Sequence, residues 1–307
     1  MTLVAAPSAR THVESRTEEE THVAKIPYLY EHLTWEEVND AVRAGKCALI
    51  PVATIEDHGP HLPVDADVVI VSAICERAAQ RAPDELVLLP CVRIGYSPHH
   101  IDFPGTLTIR WKTFVEYVLD ITRSLAHHGF RKMLIVNGHG SNRPLMEMAA
   151  RLTIVERPDV HCAFTSWWDL HDVQEVFNAT RESEVTAHAC EIETSVYLAV
   201  DAGRVKMDLA RRDMTYQMSP HFWGDLVGRK PDASFKNPVW MTEYWSVDTQ
   251  HGVKGDPTKA SREKGERVID AGARELVEIV RELRARPIKA RAPHQAHAAT
   301  PMWTAKT

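Results

Sequence analysis

The stretch CALIPVATIEDHGPHLPVDADVVIVSAICERAAQR, from Cys47 to Arg81, decides the fold. Residues 47–53 form an apolar run that predicts a buried strand, and Ala66–Arg81 carry an apolar pattern that predicts a helix. A polar loop rich in histidine and carboxylates joins the two. A buried strand followed by a loop and a helix is typical of a mostly parallel α/β sheet.

The same alternation continues outward from this stretch. Thr34, with Glu37 three residues later, predicts a helix N-terminus, and Gly45 predicts the end of that helix. Pro144 lies where the first turn of another helix is expected. Further strands are predicted at 87–92, 132–136 and 160–167, and further helices at 113–128, after 144, at 192–200 and at 258–284. We therefore predict a three-layer α/β/α sandwich with a mostly parallel sheet, whose ligands bind at the carboxyl ends of the strands.

The domain organisation follows from the ends of the chain. Residues 1–25 are polar, and residues 285–307 are rich in Pro, Ala and His without periodicity. Both are predicted to be tails, which leaves 26–284 as a single α/β domain.

Composition narrows the class of partner. Acidic residues outnumber basic ones by 42 to 36, which argues against a surface for nucleic acid or an anionic membrane and favours a small-molecule substrate. No apolar stretch approaches the roughly 20 residues of a membrane span, and the charged first 25 residues do not resemble a signal peptide. We expect a cytoplasmic protein. The five cysteines contain no CxxC pair, so neither a disulfide framework nor a zinc ribbon is indicated.

Three polar clusters are candidates for the site. The first, EDHGPHLPVDAD at 56–67, follows the first strand, and its mixed carboxylates and imidazoles suit zinc or manganese. The second, NGHGSN at 137–142, follows the strand at 132–136. The third, HACEIETS at 188–195, brings His188 and Glu193 to one site only if a helix begins between them. Taken singly, the first is also compatible with a solvated loop, and the third with an ordinary acidic helix start.

Together these clusters resemble the creatininase (creatinine amidohydrolase) family. The matching motifs are ExHGPHLPxxxD, NGHGxN and HAxExET, with FPGTL at 103–107 and GVKGDP at 252–257, in this order along the chain. The resemblance runs from about Trp35 to about Glu266. It implies a homo-oligomer, commonly a hexamer, with a two-metal site at the strand ends.

The resemblance also implies roles for single residues. Glu56 and His139 resemble ligands of one metal, His58 resembles a ligand of the other, and Asp67 resembles the bridging carboxylate. Creatininase has a glutamate two residues after the histidine of its NGH motif, where this chain has Ser141, so Glu193 is inferred as the fifth ligand. His188 resembles the catalytic histidine that assists proton transfer. Zinc or manganese is expected, and iron is compatible with the same ligands.

Other residues are weaker candidates. Ser141, Trp167, Trp168 and His100 are candidate substrate contacts. The tandem His99 and His100 are also candidates for a third metal-binding group, although a surface loop is the favoured explanation for them. Core packing or a subunit interface is the alternative for the tryptophans, and it is favoured for Trp223, Trp240 and Trp245. His61 and Asp65, with Asp57, are candidates for a shell around the ligands. Creatininase has a tryptophan four residues before its catalytic histidine, where this chain has Glu184.

The predicted activity is that of a dinuclear metal-dependent amidohydrolase, in which metal-bound hydroxide attacks an amide or lactam-like carbonyl of a small cyclic substrate. Two other hydrolase activities use the same site: cleavage of a carbon-carbon bond in a cyclic polyol ketone, and cleavage of a formamide or peptide. A metal-binding scaffold without turnover is the alternative from another class of protein.

Overall fold

A computed structural model describes residues 26–215, 217–236 and 238–294. The predicted tail at 1–25 lies outside the described residues, as do residues 295–307 of the second predicted tail. The described part of that second tail is largely exposed once the last helix has ended. None of the helices in the described ranges combines the length and the apolar composition that a membrane crossing requires.

Eight helices and six strands are assigned within the described ranges. The helices are α1 (Trp35–Arg43), α2 (Ala66–Arg81), α3 (Trp111–His128), α4 (Arg143–Glu156), α5 (His171–Asn178), α6 (Glu191–Asp201), α7 (Trp245–Asp248) and α8 (Arg262–Ala285). The strands are β1 (Cys47–Val52), β2 (Leu86–Leu88), β3 (Lys132–Asn137), β4 (His161–Ser166), β5 (Thr186–His188) and β6 (Lys254–Gly255).

The main sheet is parallel and has the order β2-β1-β3-β4. The chain leaves β1 towards β2 at one edge, whereas β3 leads to β4 at the other edge. The strand order therefore reverses between β1 and β3, and the crevice at such a reversal is where open α/β sheets bind ligands. The loops after β1 and β3 carry the first two polar clusters, so both clusters meet at this crevice.

Alternating side chains of the central strands feed two separate hydrophobic cores. Leu49 of β1 and Leu134 of β3 pack with α2, α5, α6 and α8 on one face, whereas Ile50 and Ile135 pack with α3 and α4 on the other. Helices thus cover both faces, which explains why the strands are continuously apolar. The predicted three-layer α/β/α sandwich is confirmed.

Local sequence signals set most of the helix ends. The Thr34 side chain accepts from the Glu37 amide and the Glu37 side chain accepts from the Thr34 amide, which forms the predicted capping box. Gly129 ends α3 with a positive φ of 105°, as glycine commonly does at this position. The last helix begins at Arg262 rather than 258, because residues 257–259 form a 3₁₀ turn and Ser261 caps the helix.

A two-stranded antiparallel sheet, β5 with β6, lies outside the main sheet and pairs His188 with Lys254. Between α6 and α7 the described residues from 210 to 244 are irregular in structure, and backbone hydrogen bonds attach this segment to the small sheet. Asp213 exchanges backbone hydrogen bonds with Gly255, and the Leu226 amide donates to the Thr186 carbonyl.

Candidate metal centre

Four segments supply the side chains of the site: the loop after β1, the first turn of α2, the loop after β3 and the start of α6. The Glu56 amide donates to the Val64 carbonyl at 3.0 Å, which folds the first loop back so that Asp67 enters the site from α2. Gly138 lets β3 approach that helix, since a Cβ there would lie 3.0 Å from the Asp67 carbonyl oxygen.

Asp67 occupies the centre of the cluster. Its Oδ1 lies 3.2 Å from His58 Nε2, and its Oδ2 lies 3.2 Å from His139 Nδ1. The two oxygens of one buried carboxylate therefore face two different imidazoles, one from each loop.

Glu56 extends the cluster on the His139 side. Its Oε1 lies 3.2 Å from His139 Nδ1, while its Oε2 accepts a short hydrogen bond from the Ser97 hydroxyl. Ser97 is fully buried and fixes the rotamer of Glu56 so that one oxygen is presented to the site. The sequence interpretation did not identify Ser97, because the polar loop around it showed no recognisable spacing to Glu56.

Glu193 extends the cluster on the His58 side, and it also lies in the first turn of α6. Its Oε2 accepts from the Cys190 amide at 3.3 Å, as the third residue of a capping box does. Its Oε1 lies 4.0 Å from His58 Nε2. The helix begins at Glu191, between His188 and Glu193, as the sequence required if both were to reach one site.

The backbone turns sharply at Ala189 to make that arrangement possible. Ala189 has φ of 47°, in the left-handed region that L-residues rarely adopt. This one residue separates β5, which ends at His188, from Cys190, the N-cap of α6. Backbone strain of this kind is characteristic of functional sites.

The ionisation of the cluster reflects its burial. Burial would lower the pKa of His58, but Asp67 and Glu193 outweigh it and raise that pKa to about 10. His139 is affected in the same way: burial opposes the charge, and Glu56 and Asp67 raise its pKa to about 10. Burial raises the pKa of Glu193 to about 7. The carboxylates thus create a field that stabilises positive charge between them, whether carried by protons or by a cation.

These residues fit divalent metal ions. His58 Nε2 and Asp67 Oδ2 are buried and have no hydrogen-bond partner among the described residues, although they belong to a crowded polar cluster. The 3.2 Å separations around Asp67 are close to the ~3.4 Å that ligand atoms about 2.0–2.1 Å from a tetrahedral zinc would have. Glu56, His58 and Asp67 offer ligand atoms that all lie within 4.8 Å of one another.

His188 lies beside these groups. Its Nε2 donates to the carbonyl oxygen of Asp57 at 2.8 Å, and its Nδ1 lies 3.7 Å from Glu56 Oε1. Burial, reinforced by the charge of His58, holds the pKa of His188 well below its usual range. A neutral imidazole held in this way can accept a proton inside the site.

His100 is not on a surface loop, so that reading of the sequence is wrong. Its side chain is fully buried, its Nδ1 lies 2.7 Å from Asp57 Oδ1, and its Nε2 lies 3.6 Å from Glu56 Oε1. Gly252 adopts a positive φ of 66° and closes over Asp57, since a Cβ there would lie 2.0 Å from Asp57 Oδ2. The contact that buries His100 comes from a residue 43 positions away, which local sequence cannot reveal.

The remaining weak candidates have other surroundings. Trp167 and Trp168 are 1% and 6% exposed and pack in the core of the α2, α6 and α8 layer, so they do not form a substrate wall. Ser141 lies 3.2 Å from the ring of His99, at the edge of the site. The side chain of Glu184 is 74% exposed and pairs with Arg212.

Asp65 and His61, both candidates for a shell around the ligands, bond to α6 rather than to each other. Asp65 accepts from the Tyr197 hydroxyl at 2.9 Å, because α2 directs it towards α6. His61 Nε2 instead lies 2.9 Å from the Thr194 hydroxyl, next to Glu193.

Trp245, which the sequence interpretation assigned to core packing or an interface, lies beside the site. Its ring stacks on that of His188, with centroids 5.4 Å apart and 30° between the planes. It lies 5.0 Å from the ring of His100, and the Lys254 ammonium lies over its face. Lys254 belongs to the GVKGDP motif, and Trp245 precedes it by nine residues. This nearness in sequence to a motif is the signal that could have identified Trp245.

Comparison with known proteins agrees with this geometry. A family model described as creatininase, creatinine amidohydrolase, matches residues 31–280. Creatinine amidohydrolase of Pseudomonas putida is 28% identical over 269 residues, which cover 81% of this chain and 95% of the relative.

Two further relatives carry different names. A 3-dehydro-scyllo-inosose hydrolase of Thermotoga maritima is 24% identical and covers 83% of each chain. A mycofactocin precursor peptide peptidase of Mycolicibacterium smegmatis is 29% identical, over 72% of this chain and 78% of the relative.

Solved structures show the same fold and contain metal. A manganese creatininase superposes with a TM-score of 0.68 at 26% identity, over 83% of this chain and 98% of that one. A creatininase variant of Zn-Zn type superposes with a TM-score of 0.67 at 26% identity, over 83% and 97% of the two chains.

Proposed function

Since this chain belongs to the creatininase family and is one of its hydrolases, we propose that it uses two divalent cations, zinc or manganese, to hydrolyse an amide or lactam-like carbon-nitrogen bond in a small cyclic substrate. Glu56 and His139 would hold one cation, His58 and Glu193 would hold the other, and Asp67 would bridge the two.

The position of Asp67 is the observation that carries this proposal. A carboxylate whose two oxygens each lie 3.2 Å from a different histidine has the arrangement of a bridging ligand. An ordinary buried salt bridge would need only one partner for Asp67. The unpartnered Oδ2 of Asp67 and Nε2 of His58 support the same interpretation.

The chain's own residues supply binding and proton transfer. Cations bound here would lower the pKa of a water between them and polarise the carbonyl under attack. His188 is fixed by its hydrogen bond to the Asp57 carbonyl, which leaves Nδ1 free of a proton and facing the site. That nitrogen is placed to accept the proton that the attacking water loses and to deliver it to the leaving nitrogen. Trp245 stacks on the ring of His188 and excludes water from it.

The bond that is cleaved has a second candidate. The Thermotoga maritima relative matches over 83% of both chains and is named for a cyclic inosose, which favours a cyclic polyol ketone as the alternative substrate class. The Mycolicibacterium smegmatis relative is named as a peptide peptidase, which keeps a peptide in consideration. A formamide stays the other alternative of the sequence prediction. Ser141 and Glu184 replace the glutamate and tryptophan of creatininase, so we do not propose creatinine itself.

Substitution of the proposed ligands tests the site. Glu56→Gln, Asp67→Asn and His139→Ala should each lower the bound metal per chain and reduce activity by at least about 100-fold. His127→Ala, at an exposed position of α3, is the matched control and should retain both. Three folded variants with normal metal content and full activity would overturn the assignment.

A substrate panel tests the reaction class. Purified protein loaded with zinc or manganese is assayed against lactams and cyclic ureas, cyclic polyol ketones, and formamides and short peptides. Turnover of the first group alone supports the carbon-nitrogen proposal, whereas turnover of ketones alone replaces it with the carbon-carbon alternative. Two bound metals without turnover of any member would favour the scaffold. The homo-oligomer and the cytoplasmic location stay predictions, which light scattering and cell fractionation check.

A further inference from the structure

We propose that Glu56, His100 and His188 form a further cation position beside the proposed pair, suited to a divalent transition ion such as zinc, and that an ion bound there inhibits hydrolysis. All three residues are buried, and their ligand atoms lie within 4.8 Å of one another. None of the roles inferred above for the two-metal site uses His100.

The hydrogen bond of His100 fixes which nitrogen faces Glu56. Its Nδ1 lies 2.7 Å from Asp57 Oδ1, and where the Asp57 carboxylate is the acceptor of this hydrogen bond the proton is on Nδ1. Nε2 therefore presents a lone pair. That atom is buried, has no hydrogen-bond partner among the described residues and lies 3.6 Å from Glu56 Oε1.

His188 is oriented by the same residue. Its Nε2 lies 2.8 Å from the carbonyl oxygen of Asp57, and a carbonyl can only accept, so the proton is on Nε2. Nδ1 then presents its lone pair to Glu56 Oε1 at 3.7 Å. The side chain and the backbone of Asp57 thus set the tautomers of two histidines. Metal-binding histidines commonly donate their other ring N–H to a carboxylate or a backbone carbonyl in the same way.

Two histidine nitrogens that present lone pairs converge on one carboxylate oxygen, Glu56 Oε1, which also lies 3.2 Å from His139 Nδ1. Two nitrogen lone pairs facing one carboxylate oxygen repel one another unless a cation lies among them. The 3.6 and 3.7 Å separations are close to the ~3.4 Å expected between ligands of a tetrahedral zinc. Two imidazoles and one carboxylate, with open positions, are a ligand set for zinc and for iron(II).

The consequence for activity rests on the proposed function. The further position shares Glu56 with the pair, so the charge of a loaded pair repels an additional ion and makes it bind more weakly. An ion held by His188 Nδ1 occupies the lone pair that would accept the proton. Excess zinc therefore inhibits, at the concentration at which the additional ion binds.

The test counts bound zinc during equilibrium dialysis at rising free zinc, with activity measured on the same samples. Wild-type protein should bind one equivalent more than His100→Ala, and that variant should lose the inhibition by excess zinc while it keeps the tighter equivalents. Those retained equivalents also show that the variant is folded. Should His100→Ala fail to fold, His188→Ala serves for the binding measurement, because it removes another ligand of the same position.

A second cluster provides the matched control. His171, Asp172 and Glu175 also offer three ligand atoms, but on the surface of α5. His171→Ala should keep the additional equivalent and the inhibition. If His171→Ala loses the additional equivalent, or if His100→Ala binds as much zinc as wild type, the proposed position does not exist. Absence of hydrolysis at every zinc concentration would instead contradict the proposed function, because binding is counted independently.

Discussion

Gly265 of α8 tests how closely this helix packs against α6, the helix that carries the proposed metal ligand Glu193. A Cβ at Gly265 would lie 1.9 Å from the backbone carbonyl oxygen of Ser195 and 2.9 Å from the Cβ of Ala199. Ser195 follows Glu193 by two residues in α6. Gly265→Ala therefore requires α6 and α8 to move apart, since backbone cannot rotate away as a side chain can.

The magnitude follows from the required movement. Carbon and oxygen atoms need about 3.3 Å, so the helices must separate locally by about 1.4 Å. Overpacking of this kind costs about 1–3 kcal/mol, occasionally more, and alanine returns about 1 kcal/mol through helix propensity. Because the obstacle is backbone, we expect the upper part of that range and a net loss of about 2 kcal/mol. For a domain of this size, that lowers Tm by about 4–8 °C.

Thermal unfolding of metal-free protein measures this packing effect, and Gly272→Ala is the control within the same helix. The atom nearest to a Cβ at Gly272 is Cγ2 of the buried Ile74 side chain, at 2.9 Å, so the contact is with a side-chain methyl group and is 1.0 Å longer than the backbone contact at Gly265. Gly272→Ala should stay within about 1 kcal/mol of wild type. The reasoning is refuted if Gly265→Ala melts with wild type, or if Gly272→Ala melts lower than Gly265→Ala.

Three further outcomes are expected. Dialysis against a chelator should lower Tm, since the buried carboxylates of Glu56 and Asp67 then face each other without cations. Addition of zinc or manganese should restore Tm, and an unchanged Tm contradicts the metal site. Ala189→Gly should leave the free energy of unfolding unchanged or raise it by up to about 1 kcal/mol, because glycine tolerates φ of 47°. Denaturant unfolding measures this change, with Ala202→Gly as the control. A clear decrease in the free energy of unfolding of Ala189→Gly contradicts backbone strain at this position. Arg281 lowers the pKa of Glu85 below its usual 4.5, so this pair stabilises the fold above that pH and loses its effect as the pH falls through the folded pKa. Glu85→Gln should therefore lower Tm more at pH 7 than at pH 3, and an equal loss at both values contradicts the pairing.

The elements that sequence predicted well are those with local signals. Helix α2 (Ala66–Arg81) has the predicted bounds. Its start is marked by the change from a polar loop to an apolar periodic pattern, and its C-cap is Ala82, directly after Arg81. The capping box at Thr34 and the glycine after α3 are equally local. The two loops of the candidate site were identifiable because each follows a buried strand, and parallel strands end at a common edge.

Contacts between distant segments could not be predicted in this way. His100 is buried by Asp57, Asp65 bonds to Tyr197 across 132 positions, and Trp245 reaches His188 from an irregular segment. Each depends on how loops from different layers meet, which neither periodicity nor spacing encodes. The resemblance to a known family indicated the set of proposed ligands, whereas the residues that contact those ligands could be identified only from the structure.

The irregular segment from 210 to 244 has a consequence for how this architecture can diversify. It is attached near His188 at Asp213 and at Leu226, yet none of the five proposed ligands comes from it. Mutations and length changes in this segment can therefore alter the surroundings of His188 without replacing any of the proposed metal ligands. The segment from 210 to 244 can therefore vary between related proteins while the proposed ligands stay the same, and it is a place where substitutions that change substrate selectivity can be introduced.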